Sequence, residues 1–417
     1  MKKRTLIGPF KQILPMTGIK LKGVISDHEL EVIVDGGILI EDNLILATGN
    51  FEDLKLAYPK AEIHLLNGNH VCVPGFIDAH THICFDGSRA KDYAMRNAGK
   101  SYLEIAHSGG GIWDTVTQTR KASIEELTKN TIKRANRHLK NGTTTIEVKS
   151  GYGLTVAEEL KMLRAIKGAN EQALPELIST CLAAHMLPKD FDGSEKEYLK
   201  MISEELFPIL KEEKLANRID AFIEQSAFSA DDIQAYFSKA SEMNFDITVH
   251  ADQFSAGGSK VAVEFNAISA DHLEASGDTE IGLLAQSDTI SVALPGASIG
   301  LGCDFTPARK LLDAGAALAI ASDHNPGSAP MGDLLTQASI LGTFQKLTNA
   351  EVLAGITFRA AAALKLEDRG KLEAGLLADL AVFHSDNYQD ILYNQGNLKP
   401  CMVWKSGELV FDRHKAP

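Results

Sequence analysis

Cysteine is scarce, basic charge is outnumbered and long apolar runs are missing, and each shortage removes a class of protein. The five cysteines (Cys72, Cys84, Cys181, Cys303 and Cys401) are odd in number, far apart and without a CxxC pair. Neither a disulfide framework nor a cysteine zinc site is indicated, and reduced core thiols are expected. No apolar stretch approaches the ~18 residues of a membrane span. After Met1-Lys2-Lys3-Arg4, the residues Gly8, Pro9, Lys11 and Pro15 interrupt any signal-peptide apolar segment. A cytoplasmic chain with no membrane partner is the expectation. Lysine and arginine total 42 against 55 acidic residues, a net charge of −13, which argues against a nucleic-acid partner and serves solubility. The runs Gly109-Gly110-Gly111 and Gly257-Gly258 lack the GxxxxGK[ST] and GxGxxG forms, so they read as loops rather than phosphate cradles.

What is present is a globular balance, 44% hydrophobic and 23% charged over 417 residues. That length fits a (β/α)₈ barrel of about 250 residues plus a smaller domain. The first 70 residues carry short strand-like runs, such as Leu30 to Val34 and Gly37 to Ile40, separated by Asp-Gly and Gly-Asn turns. Residues 361–417 return to that texture with Leu380 to Phe383, Met402 to Trp404 and Gly407 to Val410. The two ends are expected to pair into one β-sandwich, flanking a barrel over 71–360. Within the barrel segment, eight β-rich runs alternate with helix-length amphipathic segments. They are Phe76 to His82, Thr143 to Lys149, Ile178 to His185, Ile219 to Glu224, Phe245 to Asp252, Ala267 to Leu273, Thr289 to Leu294 and Ala316 to Asp323. A doubly wound open sheet would give a similar string. The polar strand ends favour the closed α/β TIM barrel: His80 and His82, Lys149, His185, Glu224, His250, His272 and Asp323 would converge on the C-terminal face, where barrels build active sites.

Residues 74–82 read PGFIDAHTH. Strand alternation sends i and i+2 to one face, so His80 and His82 can share an ion. A lone HxH is a weak signal, because buried histidines more often satisfy hydrogen bonds. His250 and Asp323 supply a third nitrogen and a hard oxygen and leave a position for water, the composition of a catalytic metal site.

The run PGFIDAHTH, the two later strand-end histidines and the final aspartate resemble the amidohydrolase superfamily over nearly the whole chain. The closer resemblance is to its branch that opens an imidazolone ring in histidine degradation. It rests on FDGSRAKDYAMRNAGKSYLEIAHSGGGIWDTVTQTR (85–120), EVKSGYGL (147–154), HADQFSAGGS (250–259), SADHLE (269–274) and SDHNPGS (322–328). The resemblance implies one divalent metal ion per subunit, zinc or iron, on His80, His82, His250 and Asp323. Binuclear members bridge two ions with a lysine at the end of strand four, where this chain has Glu224; Lys149 ends strand two and is expected to order carboxylates or to serve the site. The ion would lower the pKa of its water toward neutrality. Asp323 would shuttle the proton, and His272 would hydrogen-bond the nucleophile or oxyanion or orient its neighbours. Gln253 stands where the deaminase branch has a proton-shuttling glutamate; an amide cannot titrate, so ring opening is favoured and Gln253 would read the ring. The implied small-molecule substrate, 4-imidazolone-5-propanoate, would be bound by Arg89 at its carboxylate, by Tyr152 and by His185, which could also act as an electrophile. Asn325, Gly327 and Ser328 would offer donors to carboxylates. A homodimer is expected. His324 and Ile223 depart from the pattern and leave the pocket shape open. Another cyclic amidase or deaminase, or a non-catalytic barrel, would be the competing reading.

Overall fold

The computed structural model describes residues 3–100, 104, 108–225 and 227–415. Five strands come first: β1 (Arg4–Ile13), β2 (Ile33–Glu41), β3 (Leu44–Asn50), β4 (Glu62–Leu65) and β5 (His70–Pro74). Ile33-Val34 and Gly37 to Ile40 belong to one strand, β2, whereas Leu30 to Val32 of the expected first run precede it. The Asp35-Gly36 pair read as a turn lies within β2, where Gly36 pairs with Phe10; the irregularity of the ladder falls between Ile7 and Phe10 of β1, opposite Gly37. A side chain at Gly36 would meet the Ile13 side-chain tip at 2.5 Å, so Ile13 would have to move to admit one.

Eight parallel strands follow in chain order, each hydrogen-bonded to its neighbour in sequence. They are β6 (Phe76–Asp78), β7 (Thr143–Lys149), β8 (Glu176–Ala184), β9 (Arg218–Phe222), β10 (Asp246–Ala251), β11 (Ser269–His272), β12 (Ile290–Ala293) and β13 (Leu318–Ile320). The seam between first and last is closed just past the strand ends. Thr81 bridges His324 in parallel fashion, Asp323 N donates to His80 O at 3.0 Å and His82 N to His324 O at 3.0 Å. An α/β TIM barrel results, and its eight strands are those read from the sequence. Helices fill the crossovers, and the starts of two long ones follow side-chain chemistry. Ser123 caps Ile124–Lys140 and Ser194 caps Glu195–Glu213, each reciprocated by a glutamate three residues on.

The chain then returns to the first sheet with β14 (Leu380–His384), β15 (Met402–Lys405) and β16 (Glu408–Asp412). The two ends meet where β14 pairs antiparallel with β5. They form a single mixed eight-stranded sheet. It folds over an apolar core in which Ile38 and Ile40 of β2 share a cluster with Met402 and Trp404 of β15, while Leu6 and Leu39 pack with Phe51 in a separate cluster. Sandwich-like burial is thus achieved with one continuous sheet. Four of the cysteines are buried and unpaired, whereas Cys303 is exposed, so the expectation of core thiols fails there. Cys303 follows Gly302, the left-handed C-cap of the helix Pro295–Leu301, and so leaves the packed layer.

Candidate functional site

The first, fifth and last barrel strands bring the expected donors together. The Nε2 atoms of His80 and His82 lie 3.2 Å apart, and those of His82 and His250 3.3 Å apart. Asp323 Oδ1 is 3.6 Å from His80 Nε2 and 3.5 Å from His82 Nε2. All four side chains are buried. The outer nitrogens of two rings meet carboxylates: His80 Nδ1 contacts Asp271 Oδ2 at 2.7 Å, and His250 Nδ1 lies 2.9 Å from Asp220 Oδ2. A carboxylate can only accept, so the His80 proton sits on Nδ1 and its Nε2 turns a lone pair toward the common centre, whereas Asp220 holds His250 through its backbone, Oδ1 accepting from His250 N at 3.2 Å. Burial, reinforced for each ring by neighbouring cations, holds the His80, His82 and His250 imidazoles well below their ordinary pKa, in the neutral form that ligates metals. Converging lone pairs without a proton between them repel one another, and a cation is what relieves that repulsion. His80, His82 and His250 form a group able to hold an ion.

Lys149 organises the floor of this site. Its ammonium lies 2.8 Å from Glu147 Oε1, 2.9 Å from Asp220 Oδ2 and 3.7 Å from Asp271 Oδ2, with its side chain 1% exposed. Burial alone would depress its pKa; Asp220, Glu147 and Asp271 outweigh that and raise it. One cation therefore anchors the two carboxylates that orient His80 and His250. The sequence reading left Asp220, Asp271 and Glu147 out because it followed strand ends. Their signal is an acid inside an apolar run, as in IDAF, SADH and TIEVK, where a buried charge demands a partner.

Asp323 is held in a loop built around Asn325. The Asn325 amide Nδ2 donates to Asp323 Oδ2 at 2.8 Å, to Asp323 O at 2.7 Å and to Ser328 Oγ at 2.9 Å, while Oδ1 accepts from Gly327 N at 2.7 Å and Ser328 N at 2.8 Å. The donors expected to receive a substrate carboxylate at Asn325, Gly327 and Ser328 are thus engaged on one another, and they fix which oxygen of Asp323 faces the histidines. Desolvation raises the Asp323 carboxyl to about 6 against the pull of His272 and Asn325.

The remaining residues border the same mouth. Tyr152 and His185 pack ring to ring at 5.5 Å, and both rings lie within 6 Å of His82, at 5.9 and 5.6 Å. His185 Nδ1 contacts Gly151 O at 2.9 Å, so Nδ1 carries the proton and Nε2 of the neutral ring accepts. A side chain at Gly151 would meet His185 Nδ1 at 3.1 Å, and its φ of +104° suits glycine. Arg89 precedes the helix Ala90–Asn97; its guanidinium pairs with Asp92 and reaches the Gly327 backbone, where an added Cβ would lie 3.2 Å from Nη1. Residues 101–103 and 105–107 of the signature run 85–120 lie outside the described residues. Gln253 is half-buried, and among the described residues its amide makes no hydrogen bond to the histidines. Glu224 steadies the loop that carries it, accepting from Phe254 N at 2.9 Å and Ser255 N at 3.0 Å. His324 turns its ring away from the mouth, to His138 Nε2 at 2.8 Å and Arg137 Nη2 at 3.2 Å. Ile223 donates its N–H to His250 O at 3.1 Å, beneath the mouth.

Barrel, seam and buried histidines define the class. The family model of the amidohydrolase family matches residues 71–410, and the chain belongs to that family. Solved structures share the fold at low identity. They include an adenosine deaminase from Xanthomonas campestris with bound zinc (TM-score 0.70, 17% identity, 99% of this chain and 94% of that one) and an ochratoxinase from A. niger (TM-score 0.71, 17% identity, 99% and 96%). The particular relatives are imidazolonepropionases. Those of Streptococcus gordonii (38% identical, 96% of this chain and 94% of the relative), Bdellovibrio bacteriovorus (37%, 93% and 91%) and Bacillus cytotoxicus (38%, 92% and 91%) align nearly end to end, and within the family the chain groups with them.

Proposed function

We propose that the chain hydrolyses the ring amide C–N bond of 4-imidazolone-5-propanoate to give N-formimidoyl-L-glutamate. The observation that carries this reading is the near end-to-end similarity to imidazolonepropionases at 37–38% identity. It is supported by the buried histidine group at the barrel mouth. His80, His82, His250 and Asp323 would hold one divalent ion per subunit, zinc or iron; three neutral imidazoles and one buried carboxylate oxygen suit either. When bound, the ion supplies acidification of water and polarisation of the ring carbonyl.

The chain's own groups do the rest. Asp323 takes a proton from water at Oδ1 while Asn325 keeps Oδ2 occupied, and delivers it to the ring nitrogen as the C–N bond breaks. Hydroxyl goes to the carbonyl carbon and the proton to nitrogen, so one water is consumed. His272 faces the developing oxyanion. Arg89 receives the propionate, Tyr152 covers the ring, and Gln253 reads its edge. His185 Nε2, left without a proton, accepts from a ring N–H; this replaces the expected donation to the carbonyl. A homodimer carrying one site per subunit is the proposed assembly.

The test is loss of the ultraviolet absorbance of freshly generated 4-imidazolone-5-propanoate by metal-loaded protein. Fast loss that Asp323→Asn reduces at least a thousandfold, and that Arg89→Ala weakens mainly through KM, is expected. No loss above the spontaneous rate in protein holding one metal per chain would overturn the reading and leave another cyclic amidase or deaminase.

A further inference from the structure

The turn after β11 contains a buried acid that the reaction as described leaves unused. Glu274 is 4% exposed at its side chain, and neither of its carboxylate oxygens has a hydrogen-bond partner among the described residues. The nearest cation is its own neighbour two residues back, His272, whose Nδ1 lies 3.4 Å from Glu274 Oε2 and is likewise buried and unpartnered. An ionised carboxylate taken out of water without a partner is costly, so a pair of orphans at this spacing is the economical solution for both.

The backbone is bent specifically to make them meet. His272 and Leu273 both hold left-handed φ, +85° and +71°, a conformation that non-glycine residues rarely adopt and that clusters at functional sites. The turn is pinned from three sides. Leu273 N donates to Ala251 O at 3.0 Å, Ala275 N to Asp252 O at 2.7 Å, and the Thr306 hydroxyl to His272 O. Ser276 Oγ adds a bond to Asp252 Oδ2 at 2.8 Å. A strand continuing with extended backbone would carry residue 274 on past the barrel rim. Two left-handed residues return it beside the imidazole. The same bonds tie the turn to residues 251 and 252, next to Gln253, the position where an uncharged amide stands.

We infer that Glu274 is the positioning residue of His272: it accepts the Nδ1–H of the imidazolium, fixes the ring plane and leaves the Nε2–H as the donor presented to the reacting centre. The site thus gains a carboxylate one strand away from the amide at Gln253, acting through an imidazole rather than on substrate. The inference rests on the proposed role of His272 at the oxyanion.

A double-mutant cycle tests it, using metal-loaded protein of verified metal content and the ultraviolet assay. Glu274→Gln, nearly isosteric, is expected to lower kcat ten- to a hundredfold with KM within about twofold, as is typical when a partner that orients an active-site group is lost. Glu274→Asp should recover part of that loss. On a His272→Asn background, Glu274→Gln should cost less than about twofold, because the group it positions is gone. Full activity in Glu274→Gln, or the same penalty on both backgrounds, would overturn the inference as a local packing effect. If His272→Asn alone kept wild-type kcat, the role of His272 would fall and this inference with it, whereas ring opening itself would stand. Should His272→Asn not fold, the ¹⁵N shift of His272 Nδ1 decides: it should change to the unprotonated or exchanging form in Glu274→Gln, and an unchanged Nδ1–H signal would count against the pairing.

Discussion

Lys149 shows how much a single side chain can arrange. It touches no proposed ligand, yet the carboxylates that orient His80 and His250 both lean on it. Lys149→Met would leave Glu147, Asp220 and Asp271 buried without a cation, and truncating one member of a buried ion network costs about 3–5 kcal/mol. Metal affinity, read by competition with a chromophoric chelator, is expected to fall ten- to a hundredfold. Unchanged affinity would mean that the histidines hold their tautomers unaided. Glu147 supplies a pH signature of the same cluster. Burial pushes its carboxyl up to about 7, against the pull of Lys149. An acid whose folded pKa exceeds its unfolded value stabilises the fold fully below the unfolded pKa, near 4.5, and that contribution is lost as pH rises through 7. The unfolding free energy from urea titrations should therefore decline between pH 5 and 8, by about 3 kcal/mol for this one group, and Glu147→Gln should flatten the decline.

At the scale of elements, the loop after β13 behaves as one unit hung on Asn325. Removing that amide in Asn325→Ala frees the backbone N–H groups of Gly327 and Ser328 and lets Asp323 rotate. A ten- to hundredfold loss of kcat is expected, exceeding that of Ser328→Ala; comparable losses in both would show that the loop holds Asp323 without its centre. This loop also marks the boundary of what the sequence revealed. Each proposed ligand sat at the end of a β-rich run, where barrel geometry alone sends it to the mouth, and the eight strands were legible for the same reason. The inner carboxylates were not, because Asp220 and Asp271 occupy mid-strand positions whose importance depends on a lysine two strands away or more. Nor were the loop's internal bonds: Asn325, Gly327 and Ser328 look like free donors in a string of residues, and only a folded turn reveals that they have spent themselves on each other. Glu274 was visible in SADHLE, but nothing in the letters indicates that His272 and Leu273 turn left-handed.

For the whole molecule, the coupling of sheet to barrel runs through Arg369. Its guanidinium, 5% exposed, reaches Thr145 Oγ1 of β7 at 2.9 Å and Glu176 Oε2 at the start of β8 at 2.6 Å, and Lys405 of β15 approaches the same carboxylate at 3.4 Å. These contacts lie at the end of the barrel opposite the histidines. Arg369→Ala is thus expected to lower stability by about 2 kcal/mol, less than a fully buried pair because Glu176 can rehydrate, while leaving kcat/KM within about twofold; calorimetry and the ultraviolet assay separate the two. The seam has a different reach. His80 and Asp323 face each other across the junction of the first and last barrel strands, so the full donor set spans nearly the entire length of the barrel segment. During synthesis the early histidines emerge with no carboxylate opposite them, and no intermediate that lacks β13 can assemble the set. An ion held on the proposed four donors would arrive late, as a latch on a nearly finished ring, and its removal by a chelator would be felt first as loosening of that junction rather than as loss of the strands.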